Sequence, residues 1–164
     1  MAAQTALVTG ANGFVGAHVV LALVARGTRV RAFVRDGADM RALDNVDCEI
    51  AIGDVRDLES VERAVRGCEE VYHVAADYRL WVVDYAPMYA ANVGGTRNVL
   101  DAARGAQVQK IVHTSTVGAL GIGADKVGRE DTPVALEDMV GPYKPSKFLA
   151  EQIDLEAARE FLPV

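Results

Sequence analysis

Tyr143 and Lys147 stand four residues apart in the stretch "VGPYKPSKFLAEQ" (140–152), where a helix begins. At that spacing two side chains share one helix face. A free tyrosine titrates near pH ~10 and is a poor base at neutral pH. A neighbouring ammonium favours the phenolate and brings that value down. A hydroxyl from Thr116, at the end of the preceding strand, would fix a substrate oxygen. Together these groups can move a proton to or from an oxygen while hydride moves at the adjoining carbon. The bland alternative is a Tyr and a Lys that merely decorate a helix end, so the elements around them must decide.

Those elements alternate. Short β-branched runs at 5–10, 29–35, 48–54, 70–76 and 109–116 read as strands buried on both faces, as parallel strands are. Helical spacing fills 13–26, 57–66, about 86–104 and about 143–160. Gly27, Gly67 and Gly105 stand where C-terminal caps are expected. Pro145 falls in the first turn of the last helix, where a missing N–H costs nothing. The pattern predicts an α/β fold, a Rossmann-type doubly wound parallel sheet with right-handed crossovers. Residues 117–142, rich in Gly, read as a long functional loop.

With 164 residues, 51% hydrophobic and 24% charged, the chain matches one globular domain, 1–164. A net charge of −6 disfavours a nucleic-acid partner. Cys48 and Cys68 form no metal-like spacing, so two structural thiols in a reducing compartment are expected, with no metal. The N-terminus shows no cleavable signal pattern and no apolar run is long enough to span a membrane. A cytoplasmic setting is the expectation.

The first strand runs into "TGANGFVG" and then into a helix. Gly10 lets the chain turn, Gly13 lets backbone approach a pyrophosphate, and Gly16 lets the helix pack closely. The helix N-terminus offers free N–H groups to the anion. A purely structural tight turn is the weaker reading in this context. Arg35, at the end of the second strand, stands where a ribose reader is expected; an Arg there fits a 2′-phosphate and favours NADP, with NAD the other possibility beside Asp36. Asp54 could accept from an adenine amino group with Val55 beside the ring, or cap the next helix, or both. Ala75 and Ala76 leave room for a flat ring or ribose at the fourth strand end. Thr114, Ser115 and Thr116 end the fifth, where hydroxyls also serve as ordinary caps.

"TGANGFVG", "GDVRD", "YHVAA", "NVGGTRNVL", "HTST" and "YKPSK" occur in an order that resembles the extended short-chain dehydrogenase/reductase family across the whole chain. Within it the chain is similar to the dihydroflavonol-reductase-like branch. "VAADYRLW" and "EDTPVALEDMVGPYKPSKFLAE" look closest to hopanoid-associated sugar epimerases. The resemblance implies Tyr143 as acid/base, Lys147 as the group that lowers its pKa and binds ribose, and Thr116 as the hydroxyl member, or Ser115 if the alignment slips by one. It implies cofactor contacts from Gly10, Asn12, Gly13, Phe14, Val15, Arg35, Asp54, Val55, Ala75, Ala76, Asn92, Thr114, Tyr143 and Lys147. It further implies a homodimer through helices near 86–104 and 144–160, and a small-molecule sugar, polyol or ketone substrate. Family members carry later strands and a C-terminal lobe that builds the substrate pocket, so this chain is expected to be an N-terminal portion. A nucleotide-sugar or sugar epimerase leads, with a carbonyl reductase and a non-catalytic NADP-binding module as alternatives.

Overall fold

The computed structural model describes residues 4–160 and 163–164. Five parallel strands form one sheet: β1 (Thr5–Thr9), β2 (Arg29–Val34), β3 (Glu49–Ile52), β4 (Glu70–His73) and β5 (Lys110–His113), in the order β3-β2-β1-β4-β5. The order reverses between β1 and β4. Open α/β sheets bind ligands at that point, outside the carboxyl ends of the strands.

Helices cover both faces. α1 (Phe14–Ala25) packs Ala17, Val20 and Leu23 on one face with Ala6, Val8, Val30 and Ala32. α2 (Leu58–Val65) and α4 (Gly95–Gly105) cover the other, where Val61, Val65, Val99 and Ala103 meet Leu7, Val71 and Ile111. α5 (Tyr143–Arg159) adds Ala157 to that second core. The alternation of short apolar runs with 3.6-period stripes therefore produces the doubly wound sheet it predicts.

Three local features differ from the sequence reading. The β3 strand is not buried on both faces; Ile50 and Ile52 are exposed, Ile52 by 64%, because β3 is an edge strand. The expected glycine caps follow two of the helices, Gly27 and Gly67, both with positive φ; Gly105 lies inside α4 and Gln107 takes the left-handed conformation instead. The 117–142 stretch holds a short antiparallel hairpin of β6 (Gly121–Ile122) and β7 (Gly128–Arg129), closed by an Arg129–Asp125 ion pair of 2.6 Å. Two-residue strands leave no periodic trace in sequence.

The helix at 86–105 is continuous but not uniform. α3 (Ala86–Tyr89) passes into a π-helical segment, Ala90–Gly94, before α4. Asn92 lies within it. Among the described residues no helix is long and apolar enough to cross a membrane.

Candidate active site

The glycine-rich turn is built by steric exclusion. Gly10 has φ +64°, a region that side chains with a Cβ avoid, and a Cβ there would lie 2.8 Å from Ala75 Cα on β4's extension. A Cβ on Gly16 would lie 2.1 Å from the Gly10 carbonyl oxygen, so the first turn of α1 sits directly on the turn. Gly13 differs: it is exposed, and its Cβ would meet only the Gly10 oxygen, at 3.3 Å. Beyond it Phe14 and Val15 open α1, Phe14 being 82% exposed. The result is an open concavity backed by the unpaired N–H groups of a helix N-terminus, which fits a pyrophosphate.

The ends of β2 and β3 flank that concavity. Arg35 is exposed and lies close enough to Asp54 and Asp77 to help hold both carboxyls below their ordinary range, behind the larger effect of each one's own arginine. Asp54 accepts from Arg56 Nε at 3.0 Å and Arg56 backbone N at 2.9 Å. It does not cap α2; Asp57 does, accepting from Glu59 N at 3.1 Å. The Val55 side chain is buried against Gly95 of α4, where a Cβ would lie 2.8 Å from Val55 Cγ2. Asn12 Nδ2 donates to the Asp39 carbonyl at 3.2 Å. A cleft of about 390 Å³ opens between Asn12, Asp39, Arg41 and Ala42. Arg41 went unnoticed in the sequence reading; its signal was a second arginine six positions after Arg35.

Ala75 and Ala76 follow the carboxyl end of β4, Thr114 and Thr116 follow that of β5, and Lys147, one turn after Tyr143 on α5, reaches the Thr114 carbonyl. Thr9 Oγ1 accepts from the N–H groups of Val74 and Ala75, both at 3.1 Å, which ties β1's end to β4's. Thr116 Oγ1 accepts from Gly118 N at 3.2 Å, opening a short 3₁₀ turn. Ser115 instead donates to Glu151 of α5. Tyr143 opens α5 half-buried, and its backbone carbonyl accepts from Ser146 Oγ at 2.7 Å. Lys147, one turn on, is only 2% exposed. Its Nζ donates to the Thr114 carbonyl at 2.7 Å and to His113 Nε2 at 2.9 Å. Burial pulls the ammonium down to about 8, with Glu151 acting weakly in the opposite direction.

Asn92 is fully enclosed. Its Oδ1 accepts from Asp77 N at 2.7 Å, and its Nδ2 donates to Asp77 O and Ser146 Oγ, both at 2.9 Å. It thus clasps the segment after β4 to the first turn of α5. The π-helical segment aims this side chain inward, a placement such insertions often serve near functional sites.

Two buried histidines belong to the same region, and the sequence reading passed over both. His73 and His113 are register partners on β4 and β5, with ring centroids 4.9 Å apart. Because Thr9 Oγ1 already accepts two N–H groups, its own proton goes to His73 Nδ1, at 2.8 Å. His73 Nε2–H then donates to Thr96 Oγ1 at 3.0 Å, and Thr96 donates onward to the Asn92 carbonyl at 2.7 Å. Burial, then the neighbouring His113 and Lys147, keep His73 neutral. Burial, then Lys147, hold His113 well below its ordinary value. The signal available in sequence was a His at the equivalent place of two successive strands. Burial raises the Cys68 thiol to about 11, away from the thiolate form that reacts.

The family model described as "NAD dependent epimerase/dehydratase family" matches residues 6–164. The chain is 42% identical over 157 residues to sterol demethylase protein B of Methylococcus capsulatus, covering 95% of this chain and 48% of that protein. It is 40% identical over 154 residues to a putative dihydroflavonol 4-reductase of Synechocystis, covering 93% and 45%. Among solved structures it is similar to the Thermus thermophilus UDP-glucose 4-epimerase complex with NAD, at 30% identity and a TM-score of 0.83, covering 96% of this chain and 52% of that one. The chain spans about half the length of the relatives it matches.

Proposed function

The chain belongs to the NAD dependent epimerase/dehydratase family, of the extended short-chain dehydrogenase/reductase type, and we propose that it supplies the cofactor half and the proton-transfer residues of an NADP-dependent carbonyl reductase. The observation that carries this reading is that the open glycine turn leaves β1 and the buried Lys147 grips Thr114 just beyond β5, at the same carboxyl edge of one parallel sheet, with Tyr143 one helical turn before Lys147. A bound nicotinamide would supply or accept the hydride. Tyr143 would give the proton to the substrate oxygen, or take it in the reverse direction. The buried Lys147, one helical turn on from Tyr143, would hold the ribose hydroxyls of the cofactor. Thr116 would hold the substrate oxygen by a hydrogen bond.

Arg35 and Arg41 support NADP. Arg41 is exposed and lines the Asn12 cleft, Arg35 is exposed at the end of β2, and a 2′-phosphate is a group such guanidiniums would recognise. Arg41 is paired with Asp39 at 3.0 Å, so the phosphate would have to displace that carboxylate.

The segment after Asp77 favours a reductase over a sugar epimerase. Tyr78, Leu80, Trp81 and Val83 are all exposed, Trp81 by 78%, and the Leu80 carbonyl lies beside Gly141, just before Tyr143. Exposed apolar side chains on a segment whose backbone passes beside Gly141 suit a ketone on an apolar body better than a polyhydroxylated sugar. Epimerisation would use the same residues and remains the second reading.

The test is turnover by the full-length protein. Steady NADPH oxidation with an apolar ketone supports the reductase, and interconversion of a sugar without net cofactor consumption supports the epimerase. Tyr143→Phe should abolish either while sparing NADP binding. Cofactor binding with no turnover of any ketone or sugar, and unchanged biological activity of Tyr143→Phe, would leave a binding module.

A further inference from the structure

Lys147 does not stand alone at the opening of α5. Its Nζ donates to His113 Nε2, and His113 Nδ1 faces the Asp154 carboxylate, two turns further along the same helix. The His113 side chain is 5% exposed and that of Asp154 8%. Since Nε2 accepts from an ammonium, the ring proton must sit on Nδ1 and be donated to Asp154. One carboxylate, one neutral imidazole and one ammonium thus form a charge-balanced buried chain. Asp154 Oδ1 is buried with no partner among the described residues. A carboxylate kept in so costly a place calls for an explanation beyond stability.

We propose that His113 is a positioning residue of the reaction: it holds the Lys147 ammonium beneath the acid/base, and Asp154 fixes the tautomer that lets it do so. This rests on the reading of Tyr143 and Lys147 given above. Around the ammonium the charged and titratable groups are His113 on β5, His73 on β4, and Asp154, Glu151 and Tyr143 on α5. Glu151 is engaged by Ser115, and His73 is committed to Thr9 and Thr96. Asp154 acts on Lys147 through the imidazole, because a histidine that donates to a carboxylate is the better acceptor on its other nitrogen. Reversing the tautomer would point an N–H at the ammonium and weaken its hold on the proton.

Asp154→Asn, His113→Leu and His113→Gln in the full-length protein test this. A glutamine can accept from Lys147 and donate to Asp154, so it is the conservative variant. Two readouts are needed. One is the titration midpoint of Lys147, followed by NMR of Cε-labelled lysine without cofactor and assigned with Lys147→Met. The other is the pH profile of kcat. In Asp154→Asn the amide can donate to Nδ1 and flip the tautomer. The Lys147 midpoint should then fall from about 8 by about one pH unit, and the alkaline limb of kcat should move with it. The KM for the cofactor should change by less than about threefold. His113→Gln should stay near the parent protein. Asp154→Asn with midpoint and limb both within about 0.3 pH unit of the parent overturns the proposal, whether or not His113→Leu folds. The NMR midpoint is read without turnover. Failure of the Tyr143 assignment therefore leaves this result standing, and failure here leaves the loss of turnover in Tyr143→Phe intact.

Discussion

Asn92 and Ser146, 54 residues apart in sequence, are joined by a 2.9 Å hydrogen bond that closes the π-helical segment onto the first turn of α5. The same amide satisfies both backbone groups of Asp77. Asn92→Ala strands an N–H and two acceptors in a buried place, which costs about 2–4 kcal/mol. Urea denaturation of the full-length protein should show that loss. A change below about 0.5 kcal/mol would mean that water reaches Asp77.

Gly13 and Gly16 should separate binding from stability. A Cβ on Gly16 collides with the Gly10 carbonyl, whereas one on Gly13 needs only a small adjustment. Gly16→Ala is therefore expected to destabilise the fold by about 2–3 kcal/mol. Gly13→Ala should leave stability within about 1 kcal/mol but weaken dinucleotide-cofactor binding by about tenfold, because the methyl fills the space left for a pyrophosphate. Calorimetry paired with cofactor titration checks both. Equal effects on the two readouts would contradict this division.

Arg35→Ala and Arg41→Ala bear on the cofactor. If they read a 2′-phosphate, each should raise the Kd for NADP by about ten- to a hundredfold and leave that for NAD within about threefold. The loss should shrink at high salt. Parallel losses for both cofactors would point instead to the pyrophosphate or to the fold.

Lys147 gives a stability profile with a definite sign. Its ordinary value of 10.5 falls to about 8 in the fold. Between those values the unfolded chain binds more protons, so stability rises as pH climbs from about 8 to about 10.5, by up to about 3 kcal/mol. Below pH ~8 both states carry the proton and the slope vanishes. Denaturant midpoints of the parent protein and Lys147→Met across this range should diverge accordingly. Taking the difference removes the contributions of Cys68 and Tyr72. A pH-independent difference would show that the ammonium is solvated.

Acid should also weaken the fold, through His113. Its value lies below that of an unfolded histidine because of burial first and Lys147 second. The unfolded chain therefore takes up protons as pH falls below about 6.5, and stability is lost from there downward. Parent protein and His113→Gln, compared by urea denaturation between pH 7 and about 4, should converge as the pH drops. A constant gap would mean that His113 is already charged.

Much of this was legible because it is periodic or local. Alternating strand runs and helical stripes gave the doubly wound sheet, and "TGANGFVG" gave the turn at its edge. Tyr143 and Lys147 could be paired because helical spacing alone puts them on one face. What escaped depends on contacts distant in sequence. Asn92 meets Asp77 and Ser146 through an inserted residue that a 3.6-residue template cannot register. The His113–Asp154 contact joins residues 41 apart on a strand and a helix. Asp54 looked like a cap because it precedes α2, but the polypeptide offered a better-placed carboxylate three residues later in Asp57. Strand ends were read too long because Gly53–Asp54 and Val74–Ala76 stay near the sheet's carboxyl edge without pairing as strand residues.

The π-helical segment stores information in chain length rather than in chemistry. Each residue advances an α-helix by about 100°. Removing any one of residues 90–94 would restore ordinary winding at no loss of helical propensity, yet swing Met88 and the rest of α3 a quarter-turn or more about the axis relative to α4. A one-residue deletion here should therefore be far more damaging than any substitution of a neighbouring alanine. Homologous chains compared across this helix should preserve the number of residues between Met88 and Thr96 even where their identities drift.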